Sequence, residues 1–168
     1  MQNFPNLKNP LHFIATLGGL GKIPIAPGTF GSIFAWFVFI FLSHYINMIF
    51  LTFAVGIFSV WICEKITKDL VIKDHKSIVI DELVGTWISL LPVLFIADDR
   101  YERIIYAAIA LILFRFFDIL KPYPISFFDK EYKNGLGIVL DDVIAGIFSG
   151  IISVIPVSYT HLTLPTKA

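Results

Sequence analysis

The feature that most constrains the fold is the length of the apolar segments. From Phe30 to Cys63 the chain is almost wholly apolar, and only the short stretch Ser43 to Asn47 interrupts it. Because about 20 helical residues cross the hydrocarbon core of a bilayer, this run predicts two membrane helices joined by a tight turn. The first, at about residues 30 to 43, is short and is expected to be tilted or only partly inserted.

The composition supports a membrane protein. Of the 168 residues, 57% are hydrophobic and 17 are Phe, which is more apolar surface than a soluble domain of this size can bury. The 13 basic residues equal the 13 acidic residues, so no net positive charge favours nucleic acid as a partner. The single cysteine, Cys63, excludes an internal disulfide and makes a cysteine-ligated metal site improbable.

Three further apolar segments follow the first run, at Ile78–Ala97, Ile104–Leu120 and Gly137–Pro156. Between them, Glu64–Ser77 carries charges of both signs and is predicted to be a solvated connection that is helical at its start. Lys121–Leu136 contains prolines, lysines and Asn-Gly, which favours an interfacial loop or a broken amphipathic segment. We therefore predict an all-α integral membrane helical bundle with four to five spans.

Both ends of the chain differ from the middle. Residues 1 to 29 are rich in Gly and Pro, and Pro24, Pro27, Gly28 and Gly31 favour turns, so an N-terminal loop is predicted. This region lacks a basic stretch followed by an unbroken apolar one, so no cleaved signal is expected. Residues 1–156 are predicted to form a single membrane domain, and the Thr-rich tail 157–168 resembles a non-native extension.

The alternation of spans places the Gly/Pro loop, the connection after Cys63, the Asp118 end of one span and the Asp141 start of the next on the same side. That side carries nine lysines: Lys8, Lys22, Lys65, Lys68, Lys73, Lys76, Lys121, Lys130 and Lys133. The short loops on the opposite side carry only Arg100 and Arg103. Because basic residues concentrate in cytoplasmic loops, the first side is predicted to face the cytoplasm.

Five acidic residues lie at the ends of apolar segments on this side. Two pairs begin spans and one residue ends a span: Asp81, Glu82, Asp141, Asp142 and Asp118. Packed together they would repel one another unless a cation lay among them, and Mg²⁺ prefers such oxygen ligands together with substrate phosphate oxygens. The alternative is that acids at a helix start only complement the helix dipole.

Basic and hydroxyl side chains accompany the acids. Arg115 lies three residues before Asp118, so two roles are open: an intrahelical ion pair with Asp118, or binding of a phosphate. The segment GKIPIAPGTFGS offers backbone N–H groups, the hydroxyls of Thr29 and Ser32, and Lys22, although it lacks the Walker spacing and such segments are often simple loops. Lys121 is placed either to contact phosphate or to reach lipid headgroups.

Four motifs occur in order over residues 18 to about 156: GLGKIPIAPGTFGS, DHKSIVIDELVGTW, FRFFDILKPYPI and NGLGIVLDDVIAG. In these motifs the chain resembles the phosphatidylglycerophosphatase A family, except that Asn134-Gly135 stands where that family more often has two glycines. The resemblance implies a mainly helical fold and Mg²⁺-dependent hydrolysis of phosphatidylglycerol phosphate to phosphatidylglycerol and inorganic phosphate. It places this step of phospholipid biosynthesis at the cytoplasmic face of a bacterial inner membrane.

A mechanism follows from the residues as a hypothesis. Members of the acidic set would hold Mg²⁺ against the terminal phosphate, and one uncoordinated carboxylate would accept a proton from the attacking water. Arg115, Lys22 and Lys121 would offset charge on the phosphoryl oxygens. A covalent aspartyl phosphate stays open as the other route.

Other classes of protein also place carboxylates in membranes. A small ion-coupled transporter is one alternative, but these acids cluster at one face and no inverted repeat is visible. The spaced pattern of a CDP-alcohol phosphotransferase is absent, and a structural membrane subunit is the remaining alternative. The sequence gives no indication of the oligomeric state.

Overall fold

The computed structural model describes residues 4–68, 70, 75–97, 99–132 and 134–163, and the side chains of these except 129–130 and 156–163. Every regular element within these ranges is helical, in agreement with the predicted all-α class. Lys73, Lys133 and residues 164–168 of the predicted tail lie outside the described residues, as does the side chain of Lys130.

Eight α-helices and one 3₁₀ helix occur in the described ranges. In chain order they are α1 (Pro10–Ala15), a 3₁₀ helix (Leu17–Lys22), α2 (Pro27–Leu42), α3 (Met48–Thr67), α4 (Ile80–Leu90), α5 (Val93–Ile96), α6 (Arg100–Leu120), α7 (Ile125–Glu131) and α8 (Gly135–Thr163). The backbone of α8 thus continues as a helix into the segment predicted to be a tail.

The predicted N-terminal loop is partly helical, so this prediction was wrong in detail. Short helices occupy Pro10–Ala15 and Leu17–Lys22, and α2 already begins at Pro27. Proline is well tolerated in the first turn of a helix because its missing N–H has no partner there anyway. Gly18 and Gly19 adopt positive φ values of 72° and 104°, a conformation that glycine accepts readily.

Among the described residues, two helices are long and apolar enough to cross a membrane, Met48–Thr67 and the Gly135–Ile155 part of α8. The apolar helix α2 is shorter, with 16 residues, and the 21 residues of α6 include charged residues near both ends. The predicted span Ile78–Ala97 is divided, since α4 stops at Leu90 and α5 starts after Pro92. Pro92 cannot donate the hydrogen bond that would continue the helix.

Helix α4 lies at the centre of the bundle. Nine of its residues are buried, and it packs against α8, α2, α6 and α3. The indole Nε1 of Trp87 donates a hydrogen bond to the carbonyl oxygen of Ala35 in α2, at 2.9 Å. A helix buried on all sides is held by protein contacts, so its position relative to its neighbours is well determined.

Small residues let α4 and α8 approach closely. A Cβ added to Gly85 would lie 2.7 Å from the carbonyl oxygen of Asp142, and one added to Gly146 would lie 2.4 Å from the carbonyl oxygen of Gly85. Residues four apart share a helix face, so Asp81 and Gly85 form one row and Asp142 and Gly146 form the facing row. This contact brings the acidic ends of the two rows together.

The outer helices expose aromatic side chains. Phe37 and Phe41 of α2 are 61% and 64% exposed, and Phe50 and Phe53 of α3 are 75% and 71% exposed. Apolar surface on this scale marks contact with lipid or with another protein.

Candidate active site

Three carboxylates from two helices meet at one end of the α4–α8 contact. Asp81 and Glu82 lie in the first turn of α4, and Asp142 lies in the second turn of α8. One oxygen from each residue lies within 4.8 Å of the others, and Asp81 and Asp142 are only 8% and 4% exposed. The structure therefore gathers carboxylates that are 60 residues apart in the sequence.

Such a group is electrostatically costly without a cation. Two unit negative charges 4.8 Å apart repel by roughly 3 kcal/mol at an effective dielectric constant of about 20. Glu82 Oε2 is buried and has no hydrogen-bond partner among the residues that the structure describes. A divalent cation would supply the missing partner and offset the repulsion, so the donor set fits Mg²⁺.

Gly28 makes room for Glu82 beside the start of α2. A Cβ at this position would lie 2.1 Å from Glu82 Oε1 and 3.3 Å from Arg115 Nη1. The absence of a side chain here lets the backbone of the predicted Gly/Pro segment reach the acidic cluster. Gly28 was assigned no such role from the sequence.

Asp118 joins the cluster from the last turn of α6. Its carboxyl lies near those of Glu82 and Asp142, although it is outside the group of three whose oxygens lie within 4.8 Å of one another. Its Oδ2 also pairs with Arg115 Nη1 at 2.6 Å. The intrahelical ion pair and the approach to the other acids, considered as alternatives from the sequence, occur together.

Arg115 links α6 to the start of α2. Its Nη1 donates to Ser32 Oγ at 3.3 Å and its Nη2 donates to Thr29 Oγ1 at 3.4 Å. The Ser32 hydroxyl in turn donates to the carbonyl oxygen of Gly28 at 2.8 Å. The two hydroxyls predicted to contact phosphate directly therefore hold the guanidinium group in place.

Asp141 and the two lysines occupy different surroundings. Lys121 Nζ pairs with Asp141 Oδ2 at 2.5 Å, so Asp141 faces a cation of the chain, outside the three-carboxylate group. Lys22 is exposed at the end of the 3₁₀ helix, and no contact between it and the acids is seen in the described part of the chain. Asp141 and Asp142, which were predicted to begin a span, lie inside α8, six and seven residues after its first residue.

Sequence reasoning missed Glu64, which it placed at the start of a solvated connection. Glu64 lies within α3, and its Oε2 accepts a hydrogen bond from the backbone N–H of Gly135 at 2.9 Å. Nothing in the local sequence indicates this partner 71 residues away. By contrast, the matching four-residue spacing of small residues after Asp81 and Asp142 could have predicted the α4–α8 contact.

Comparison with known proteins agrees with the four motifs. The family model for "Phosphatidylglycerophosphatase A" matches residues 13–157. The chain belongs to this family, a family of phosphatases. The resemblance stated from the motifs is thereby confirmed.

Individual relatives cover most of the chain. A Haemophilus influenzae protein named "Phosphatidylglycerophosphatase A" is 42% identical over 150 residues, which covers 88% of each chain. An Escherichia coli protein of the same name is 36% identical over 148 residues, covering 85% of this chain and 81% of its own. A Bacteroides thetaiotaomicron protein named "Putative phosphatidylinositol-3-phosphatase" is 36% identical over 146 residues, covering 83% and 88%. No solved structure matches the chain.

Proposed function

We propose that this chain hydrolyses phosphatidylglycerol phosphate to phosphatidylglycerol and inorganic phosphate in phospholipid biosynthesis, and that the reaction requires Mg²⁺. The observation that carries the proposal is the meeting of Asp81, Glu82 and Asp142 beside Arg115. Membership of the phosphatidylglycerophosphatase A family supports the reaction, and two relatives carry that name.

Asp81, Glu82 and Asp142 would hold the metal ion, with Asp118 beside them. When bound, Mg²⁺ supplies positive charge that offsets both the carboxylates and the phosphate of the substrate. The buried, unpartnered Oε2 of Glu82 supports its assignment as a ligand.

Arg115 would bind the substrate phosphate. Its guanidinium is already held by Thr29, Ser32 and Asp118, so little conformational freedom is lost when a phosphate binds. A guanidinium group donates two parallel hydrogen bonds to phosphate oxygens, which fixes the orientation of the group as well as its charge. Lys121, paired with Asp141, would stabilise charge on the same phosphate from the end of α6.

In the hydrolysis the oxygen of a water molecule forms a bond to phosphorus, and the bond between phosphorus and the glycerol oxygen breaks. A carboxylate that does not hold the metal, Asp118 or Asp141, would accept the proton of the water. The departing glycerol oxygen takes up a proton, and inorganic phosphate is released.

We place the chain across the bacterial inner membrane with this site on the cytoplasmic side. In this arrangement α2, α3, α6 and α8 cross the bilayer, and α4 with α5 forms a broken fifth segment inside the bundle. The turn after α2 and the start of α6 share an opening of about 500 Å³ lined by His44, Arg100 and Arg103, which identifies them as one end of the bundle. Lys65 in the last turn of α3 and Lys121 at the end of α6 lie at the far ends of those helices from this opening, which supports placing that end at the cytoplasmic face.

The headgroup is the finer question, because one relative is named as acting on a phosphoinositide. The test is phosphate release by the purified chain from phosphatidylglycerol phosphate, phosphatidylinositol 3-phosphate and phosphatidic acid, each with Mg²⁺ and with a chelator. We expect the highest kcat/KM for phosphatidylglycerol phosphate and loss of release without metal. Preference for the phosphoinositide would reject the proposed substrate, and full activity in chelator would reject the metal requirement.

A further inference from the structure

Glu64 joins α3 to the first residue of α8. Its Oε2 accepts the backbone N–H of Gly135 at 2.9 Å across 71 residues of sequence. The first N–H groups of a helix lack partners within the helix and carry partial positive charge, so a carboxylate forms a strong, charge-assisted hydrogen bond there.

The backbones of the two helices also touch at this point. A Cβ on Gly135 would lie 2.1 Å from the backbone nitrogen of Glu64 and 2.6 Å from the carbonyl carbon of Cys63. The local cap of α8 is a different residue, since Asn134 Oδ1 accepts the N–H of Gly137 at 2.9 Å. Asn134 therefore serves the helix end itself, whereas Glu64 ties that end to another helix.

This tie lies close to the acidic cluster. Asp142 is seven residues beyond Gly135, about 10 Å along the helix axis at 1.5 Å per residue. On the other side of Asp142, Gly146 of α8 is in close contact with Gly85 of α4. Asp142 thus lies between two fixed points of α8, one on α3 and one on α4.

We propose that Glu64 is a positioning residue that fixes where α8 lies along its own axis. It thereby fixes the place of the Asp142 carboxylate relative to Asp81 and Glu82. The inference rests on the proposed function, since it concerns the carboxylates proposed to hold Mg²⁺. Metal–ligand distances tolerate only about 0.2 Å of variation, so a small slide of α8 would weaken metal binding. The effect should therefore appear in metal affinity before it appears in substrate affinity.

The test compares Glu64→Ala, Glu64→Gln and the control Glu131→Gln, which changes an exposed glutamate of α7. For each full-length purified variant, the rise in unfolding temperature on adding Mg²⁺ is measured, together with kcat and KM as functions of Mg²⁺ concentration. We expect Glu64→Ala to need about 10-fold more Mg²⁺ for half-maximal activity, as for residues that orient metal ligands. Glu64→Gln keeps an acceptor oxygen and should recover part of the loss, with KM for the lipid at saturating Mg²⁺ unchanged.

The outcomes separate this inference from the proposed function. If the original chain requires Mg²⁺ and Glu64→Ala responds to the ion at the same concentrations, the positioning role is rejected and the proposed function stands. If the original chain shows neither stabilisation nor activation by Mg²⁺, the proposed function itself fails. Should Glu64→Ala not fold, Glu64→Asp keeps the charge but withdraws the carboxylate, and unchanged metal affinity in that variant would reject the role equally.

Discussion

Helices α3 and α4 pack against each other, yet they differ in length and in how much of their surface is exposed. Helix α3 has 20 residues and leaves large aromatic side chains such as Phe53 exposed, whereas α4 has 11 residues and buries nine of them. The first faces lipid in the proposed arrangement, and the second faces protein. In that arrangement, hydropathy identifies the helix that would meet the membrane, whereas the helix proposed to carry the chemistry is shorter and buried.

The two helices also differ in where they carry charged residues. Helix α4 carries Asp81 and Glu82 in its first turn, and Glu82 lies next to the Gly28 backbone, as does the Arg115 guanidinium. Ionised groups in apolar surroundings are tolerated when partners are fixed around them. The charged residues of α3, Glu64 and Lys65, lie in its last turn, where the Glu64 carboxylate accepts the backbone N–H of Gly135.

The largest expected effect is at the acidic end of α8. Asp142→Asn keeps the shape of the side chain but removes its charge, and we expect phosphatase turnover to fall by roughly 100-fold or more. Asp99→Asn is the matched control, because Asp99 caps α6 by accepting the N–H of Glu102 at 2.8 Å and asparagine caps equally well. Steady-state kinetics on phosphatidylglycerol phosphate measure both. Near-normal turnover in Asp142→Asn would remove the carboxylate cluster from the mechanism.

The next effect concerns the stability of the fold at Gly85 in α4 and at Gly56 in α3. A Cβ at Gly85 would lie 2.7 Å from the carbonyl oxygen of Asp142 in α8, so Gly85→Ala should lower the free energy of unfolding by roughly 1–3 kcal/mol. Gly56→Ala is the control on α3, where the nearest atom would be Val84 Cγ1 at 3.6 Å. That variant should be unchanged or more stable, since alanine favours helices by up to about 1 kcal/mol. Denaturant unfolding in detergent measures both, and equal stabilities would contradict the close α4–α8 contact.

The smallest effect is expected on the outer face. Phe53 is 71% exposed and Phe114 is 0% exposed, so the same change tests the two environments. Phe53→Leu should leave the unfolding midpoint in detergent unchanged, while Phe114→Leu should cost up to about 1.5 kcal/mol. A larger loss for Phe53→Leu than for Phe114→Leu would mean that the exposed face of α3 is covered by protein.

The features that could be predicted from the sequence are those that depend on local residue patterns. The apolar segments predicted helices, and the four motifs identified the family that the comparisons show. The alternation of spans grouped five acids: Asp81, Glu82, Asp118, Asp141 and Asp142. The structure gathers Asp81, Glu82 and Asp142, with Asp118 near them, but it pairs Asp141 with Lys121. Their catalytic and metal-binding roles remain predictions.

The sequence could not predict contacts between distant segments. The pairing of Asp141 with Lys121 depends on how α6 ends against α8, with Lys121 at a φ of 43°. The partnership of Glu64 and Gly135 depends on the packing of α8 on α3. Helix starts were also misjudged, because Pro27 and Gly28 read as turn residues although the first turn of a helix accepts both.

The most direct test of the central claim is to count metal ions without relying on catalysis. Mn²⁺ substitutes for Mg²⁺ at oxygen-ligand sites, and free Mn²⁺ is measured by electron paramagnetic resonance. We expect one tightly bound Mn²⁺ per chain in the purified protein and in Asp99→Asn, and loss of that site in Asp142→Asn and Glu82→Gln. Retention of tight binding in both carboxylate variants, or its absence from the unaltered chain, would contradict a metal site built from α4 and α8.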